Sequence, residues 1–131
     1  MDAKRRAKLE SLLLEELSTA LNRLVKDPRV PALTVTSVRL AADGGVATVS
    51  IALMGRQILP DDEARAQMES CLEGLTSAAG FIRRHMAKII NTRTIPNFIF
   101  KEDKGLENSM RVYELLKQLD AEKIKRDSSS S

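Results

Sequence analysis

One cysteine, one histidine and no tryptophan occur in 131 residues, and each shortage closes off a class of chemistry. Cys71 alone excludes an intramolecular disulfide and a cysteine-based metal cluster, so a reducing interior, the cytoplasm, is the natural compartment. His85 has no nucleophile and orienting acid in its sequence neighbourhood, and a catalytic triad cannot be read from one histidine. Aromatic residues make up 3% of the chain: Phe81, Phe98, Phe100 and Tyr113. Proteins that stack successive bases on rings need more aromatic surface on one face, so nucleic-acid binding here should work mainly through charge, shape and backbone donors. No apolar run approaches the ~20 residues that span a bilayer. The amino-terminal segment lacks a small-residue cleavage site and carries Asp2, Glu10, Glu15 and Glu16 where a transit peptide avoids acids, so it reads as a first helix.

A further absence is local. From Gly74 to Lys101 there is no acidic residue, whereas Arg83, Arg84, Lys88, Arg93 and Lys101 all fall there. The whole chain is nearly balanced, with 21 Lys+Arg against 18 Asp+Glu. A one-sign segment within a mixed chain marks where a polyanion would dock. The same bases have a purely structural use, since cations late in a helix offset its macrodipole and cover its last carbonyls.

What is present describes one domain, residues 3–120, followed by a charged and Ser-rich segment, 121–131, expected to be disordered. Apolar residues at Leu9, Leu12, Leu13, Leu17, Ala20, Leu21, Leu24 and Val25 form a stripe of helical period, which Asp27-Pro28 ends because proline disfavours helical geometry at the residue before it. Leu33 to Leu40 and Val46 to Leu53 read as strands of an antiparallel hairpin around Asp43-Gly44-Gly45. The alternation slips between Val35 and Val38, which suggests a bulge. Pro60-Asp61-Asp62 opens a helix whose core positions, Ala64, Met68, Cys71, Leu72 and Leu75, continue in phase through Ala79, Ile82, Met86 and Ile89. Periodicity therefore permits one unbroken helix from about 61 to 91, with Gly74 and Gly80 tolerated at ~1 kcal/mol each. Ile95 to Lys101 is a third strand with Pro96 at its start. A last amphipathic helix uses Leu106, Met110, Val112, Tyr113, Leu116 and Leu119.

Three segments carry a resemblance to a known family. They are Lys26-Asp27-Pro28-Arg29-Val30 leading into Thr34-Val35-Thr36-Ser37-Val38, then Ser77-Ala78-Ala79-Gly80-Phe81-Ile82-Arg83, and then Pro96-x-Phe98-x-Phe100 with Asp103, Leu106-Glu107 and Met110-Arg111-Val112. In this order and spacing the chain resembles ribosome-binding factor A, over about Ala3 to Leu119. The resemblance implies an α+β, K-homology-like (type II) domain, a three-stranded sheet with helices on one face, in the order α-β-β-α-kink-α-β plus a C-terminal helix. It also implies a non-catalytic, monomeric bacterial factor that binds the immature small ribosomal subunit through its ribosomal RNA and assists rRNA processing and subunit maturation. No cofactor, membrane or small-molecule substrate is implied. Ala41 stands where relatives often have serine. The Gly-x-x-Gly clamp of ordinary K-homology domains is absent, which removes the usual four-nucleotide grip.

On that basis the candidate RNA-binding residues are Ala78, Ala79, Gly80, Arg83, Arg84, Lys88, Arg93, Lys4 and Arg5. A kink at Ala78-Ala79-Gly80 would free backbone N–H groups to meet phosphate; without one, small residues merely let the helix approach a neighbour. Arg84 and Lys88 lie four apart, an unfavourable like-charge spacing that a phosphate across both would relieve. Lys4, Arg5, Arg6 and Lys8 oppose the dipole of the first helix and form either a fluctuating RNA-touching arm or a solubilising end. Asp61-Asp62-Glu63 could offer oxygens to a nuclease metal, but acids in a first helical turn are expected as caps and dipole partners. The alternative to RNA binding is a protein-interaction adaptor docking through the C-terminal helix around Tyr113.

Overall fold

In the computed structural model, residues 1–55, 58–92 and 94–105 are described, together with Lys117 and Leu119. The predicted C-terminal helix, apart from those two positions, the Ser-rich segment 121–131 and Arg93 lie outside the described residues.

Helix α1 spans Ala3–Leu24, and Asp2 caps it by accepting the Arg5 N–H at 2.8 Å. Its apolar stripe buries Leu9, Leu13, Leu17, Ala20 and Leu21. Two side chains fix its direction along the first strand. Glu10 Oε2 accepts the Leu40 N–H at 2.8 Å, and the Asn22 amide both donates to the Leu33 carbonyl (2.8 Å) and accepts from its N–H (3.0 Å). The start of α1 thus sits at the end of β1 (Leu33–Leu40), and its end at β1's start.

β1 pairs antiparallel with β2 (Val46–Leu53), and β2 pairs in parallel with β3 (Asn97–Glu102), giving the order β1-β2-β3. The expected bulge is real, with the register shifting between Val35 and Ser37. It lets Leu33 and Val35, then Val38 and Leu40, all reach the core on a strand whose strict period of two would turn one pair outward. The turn uses Gly44 at φ +76°, closed by the Asp43 side chain accepting the Gly45 N–H at 2.9 Å. Ala47, Val49, Ile51, Leu53, Phe98 and Phe100 complete the buried face of the sheet, against which both helices pack. Excluding side chains such as Leu13, Leu17 and Ile51 from water contributes roughly 1.5–3 kcal/mol apiece before entropy is counted.

The second helix, α2, runs from Asp61 to Ile89 without interruption. The kink implied by the family resemblance does not break it. Gly80 is not at positive φ, and among the described residues a side chain added there would meet only Arg84 Nη1, at 3.4 Å. The reason is register: Cys71 and Leu75 before the glycine and Ile82 and Met86 after it occupy one continuous buried stripe, which a break would split. At 1.5 Å per residue α2 is about 43 Å long, whereas six-residue β3 covers roughly 20 Å, so the helix outreaches the strand it packs on. Because β3 enters beside the hairpin turn (Asn97 N–H to the Gly45 carbonyl, 3.0 Å), the end of α2 and the start of α1 share one end of the sheet. A side chain on Gly44 would meet Met1 Cε at 3.0 Å, which places the amino terminus there too.

Candidate nucleic-acid interface

Helical geometry sorts the basic residues of α2. Arg84 and Lys88, about 40° apart around the axis, both point to solvent on the side away from the sheet. Arg83, about 100° from Arg84, takes the flank toward β3, where its Nε donates to the Ile95 carbonyl at 3.2 Å. The three bases that stand together in the sequence are therefore divided: two form an outward ridge, and one ties the helix to the chain entering β3.

Gly80 belongs to the ridge. The Arg84 guanidinium lies back over it, into space that a side chain would contest. Ala78 and Ala79 are half-buried and pack against the core. With the helix intact, these residues present no new helix start, so the freed N–H donors expected of a kink are not there. What Gly80 offers is low relief beside a cation, while Ala78 and Ala79 face the core.

Lys4 and Arg5 are exposed on the first turn of a capped helix and do not form an arm, and Arg5 Nε lies 3.7 Å from Asp2 Oδ2. The topology puts them at the same end of the domain as Lys88.

Sequence reading passed over Arg29 as a site residue. Its guanidinium grips Asp27 through Nη2–Oδ2 (2.7 Å) and Nε–Oδ1 (3.1 Å), and Nη2 also reaches Ser77 Oγ on α2 at 3.4 Å. The Arg29 hydrogen bonds hold the Asp27 carboxyl down to about 2. Beneath this turn is Gly74, buried, where an added Cβ would come within 2.7 Å of Val30 Cγ2 and 3.3 Å of Arg29 Cβ. Gly74 is thus not merely tolerated: it is the close approach that seats the Asp27–Val30 turn on α2. Two of the segments that carried the family resemblance touch here. The signal available in sequence was a glycine inside a strongly periodic helix, which usually has a packing reason.

Other candidates are quiet. Cys71 is buried in the core, and desolvation pushes its thiol up to about 11, away from the reactive thiolate. Asp61, Asp62 and Glu63 occupy the first turn of α2 as dipole partners. No group of three or more His, Cys, Asp or Glu that could hold a metal occurs among the described residues. Nor is any described helix long and apolar enough to cross a membrane.

A helix–strand–strand–helix–strand order, with α2 linking the parallel pair β2 and β3, defines a K-homology-like α+β domain. A family model described as ribosome-binding factor A matches residues 5–116. The chain is 35% identical over 128 residues to a ribosome-binding factor A of Thermomicrobium roseum, covering 98% of this chain and 93% of that one. Over 119 residues it is 38% identical to one from Natranaerobius thermophilus, covering 91% and 85%. This chain belongs to the ribosome-binding factor A family. Among solved structures, the crystal structure of ribosome-binding factor A from Thermus thermophilus superposes with a TM-score of 0.60 at 28% identity, over 74% of this chain and 93% of that one. Similar too, with a TM-score of 0.56 at 27% identity over 76% and 96%, are Thermus thermophilus ribosome-binding factor A coordinates fitted into the cryo-EM map of a 30S complex.

Proposed function

We propose that this protein binds the immature small ribosomal subunit through its ribosomal RNA, without catalysing a reaction, and so assists rRNA processing and subunit maturation in the cytoplasm. The observation that carries the reading is the outward ridge of Arg84 and Lys88 on a stretch of helix with no acid from Gly74 onward, in a family with a relative fitted into a 30S complex. Phosphates lying along the ridge would relieve the repulsion between Arg84 and Lys88 and release counterions. Gly80 contributes by keeping the surface beside Arg84 low enough for a backbone to approach, whereas Ala78 and Ala79 act indirectly, by packing this stretch of helix onto the core. Arg83 acts through its hold on Ile95, which fixes the helix against β3. Lys4 and Arg5 add charge at the same end of the domain, and Arg93 extends the basic run in sequence.

Gradient sedimentation of a cell extract with antibody detection tests this. The protein should travel with free small subunits and be nearly absent from complete ribosomes. Equal presence on both, or confinement to the top of the gradient, rejects the assembly role. Salt separates RNA binding from an adaptor contact: affinity for small subunits should drop steeply as salt rises, whereas an apolar protein contact would change little.

A further inference from the structure

The Asp27–Val30 turn covers α2 at Gly74, and two helical turns further on, on the same side of the helix, stands Phe81. Among the described residues nothing covers it to the same degree: Phe81 is 46% exposed, and Ile89, eight residues on, is 45% exposed, with half-buried His85 between them. A lone exposed apolar residue is ordinary, but this is a strip, and its border is specific. Lys88 lies almost in line with Phe81 along the axis, and Arg84 runs beside both. No acid occurs between Gly74 and Lys101 to repel a polyanion.

The border decides what the strip fits. Phe and Arg are common in protein–protein interfaces, but lysine is depleted from them, so Lys88 and the acid-free stretch favour nucleic acid, whose sites combine a ring with cations that track the backbone. We propose that Phe81 is a stacking platform for one unpaired nucleobase of the RNA whose phosphates lie on Arg84 and Lys88, with His85 forming its side. The proposal rests on the RNA reading above and narrows it. Among the described residues Phe81 is the one well-exposed ring, and one ring serves one base, so the ligand is a structured RNA with a base turned out of a loop or bulge, rather than a plain duplex or a long single strand. It adds one ring to the expectation, drawn from the low aromatic content, that binding works mainly through charge, shape and backbone donors.

The test uses the full-length protein, a short RNA hairpin with an unpaired purine loop, and a blunt duplex of the same stem. Phe81→Ala should weaken hairpin binding roughly 10- to 100-fold while leaving the salt slope and the duplex affinity near those of the parent. Phe81→Leu, which keeps apolar area but no ring, should lose as much, and Phe81→Tyr should restore binding. The chain has no tryptophan, so Phe81→Trp supplies a single reporter whose emission should be quenched by the hairpin and not by the duplex. Thermal melts check that each variant is folded, as expected for an exposed position. Hairpin binding unchanged in Phe81→Ala, or lost equally on hairpin and duplex, overturns the stacking role while leaving RNA binding intact. Full activity of Phe81→Leu would assign the strip to an apolar protein contact and overturn it as well. If the parent binds neither RNA but still binds small subunits, the RNA reading itself fails and the stacking role falls with it.

Discussion

The two halves of α2 are built for opposite purposes. Before Gly74 the helix carries Asp61, Asp62, Glu63, Glu69 and Glu73 against one base, Arg65; after it there are three bases and no acid. Each half places the charge that its end of the macrodipole favours, which offsets the repulsion between neighbouring like charges, so this asymmetry is not by itself a sign of function. Its consequence at the surface is directional: a polyanion meets repulsion along the first half and attraction along the second. The glycines follow the same division. Gly74 is buried where the Asp27–Val30 turn presses on the helix, whereas Gly80 is exposed beneath the Arg84 guanidinium. Identical residues six positions apart thus answer to different constraints, one to packing and one to access.

Charge reversal at the ridge should sharpen this comparison most. Arg84→Glu combined with Lys88→Glu should reduce affinity for small subunits on the order of 100-fold and flatten the log–log salt dependence by about 2, because two phosphate contacts are lost. Stability should fall by about 1 kcal/mol at most, because Lys88→Glu puts an acid in the last turn of α2, against its macrodipole, while Arg84→Glu is an ordinary exposed change. Lys4→Glu with Arg5→Glu should weaken binding less, and acids in the first turn of α1 should favour that helix by about 0.3–1 kcal/mol each. Equal losses from the two pairs in a binding titration would mean that diffuse charge, rather than the ridge, does the binding.

Next in size is Gly74→Ala, expected to destabilise by about 1–3 kcal/mol, since the methyl must displace Val30 Cγ2 with Arg29 and Asp27 close behind. Urea denaturation measures it. Adding Val30→Ala to the same chain should recover part of the loss; no recovery would place the strain elsewhere. Gly80→Ala should go the other way, raising stability by up to about 1 kcal/mol through helix propensity and a less disordered unfolded chain. Its only near neighbour among the described residues is the far end of a flexible side chain, so RNA affinity should change little. A drop in melting temperature for this variant would restore the kink that the continuous helix denies.

The smallest effect concerns pH. The Asp27 carboxyl ionises at about 2 in the folded protein against an ordinary 3.8, because Arg29 hydrogen bonds hold its charged form. A lowered folded-state value means that its contribution is fully present above about pH 4 and fades as pH falls toward 2. Urea midpoints of the parent and Asp27→Asn, measured down this range, should converge as the acid end is approached. Parallel curves would show that the Asp27–Arg29 pair is too well solvated to matter. Asp27 is one-quarter exposed and Arg29 41% exposed, and added salt should shrink the difference.

The sequence by itself determined what depends on neighbours along the chain. The 3.6-residue stripes of both helices, the period-two strands, the glycine turn, the slip that became the bulge at Val35/Ser37, and the i,i+4 pairing of Arg84 with Lys88 are all local regularities, and each was legible. The periodicity even permitted the continuous helix, while the family resemblance argued for a joint at Gly80. Tertiary structure decided what depends on residues far apart in sequence. It brought Val30 and Arg29 onto Gly74, gave Arg83 the Ile95 carbonyl as a partner, set the start of α1 beside the end of α2, and left Phe81 46% exposed. The physical reason is that side-chain period reports which face of an element is apolar, but which other element covers that face, and how closely, is settled only when the faces meet.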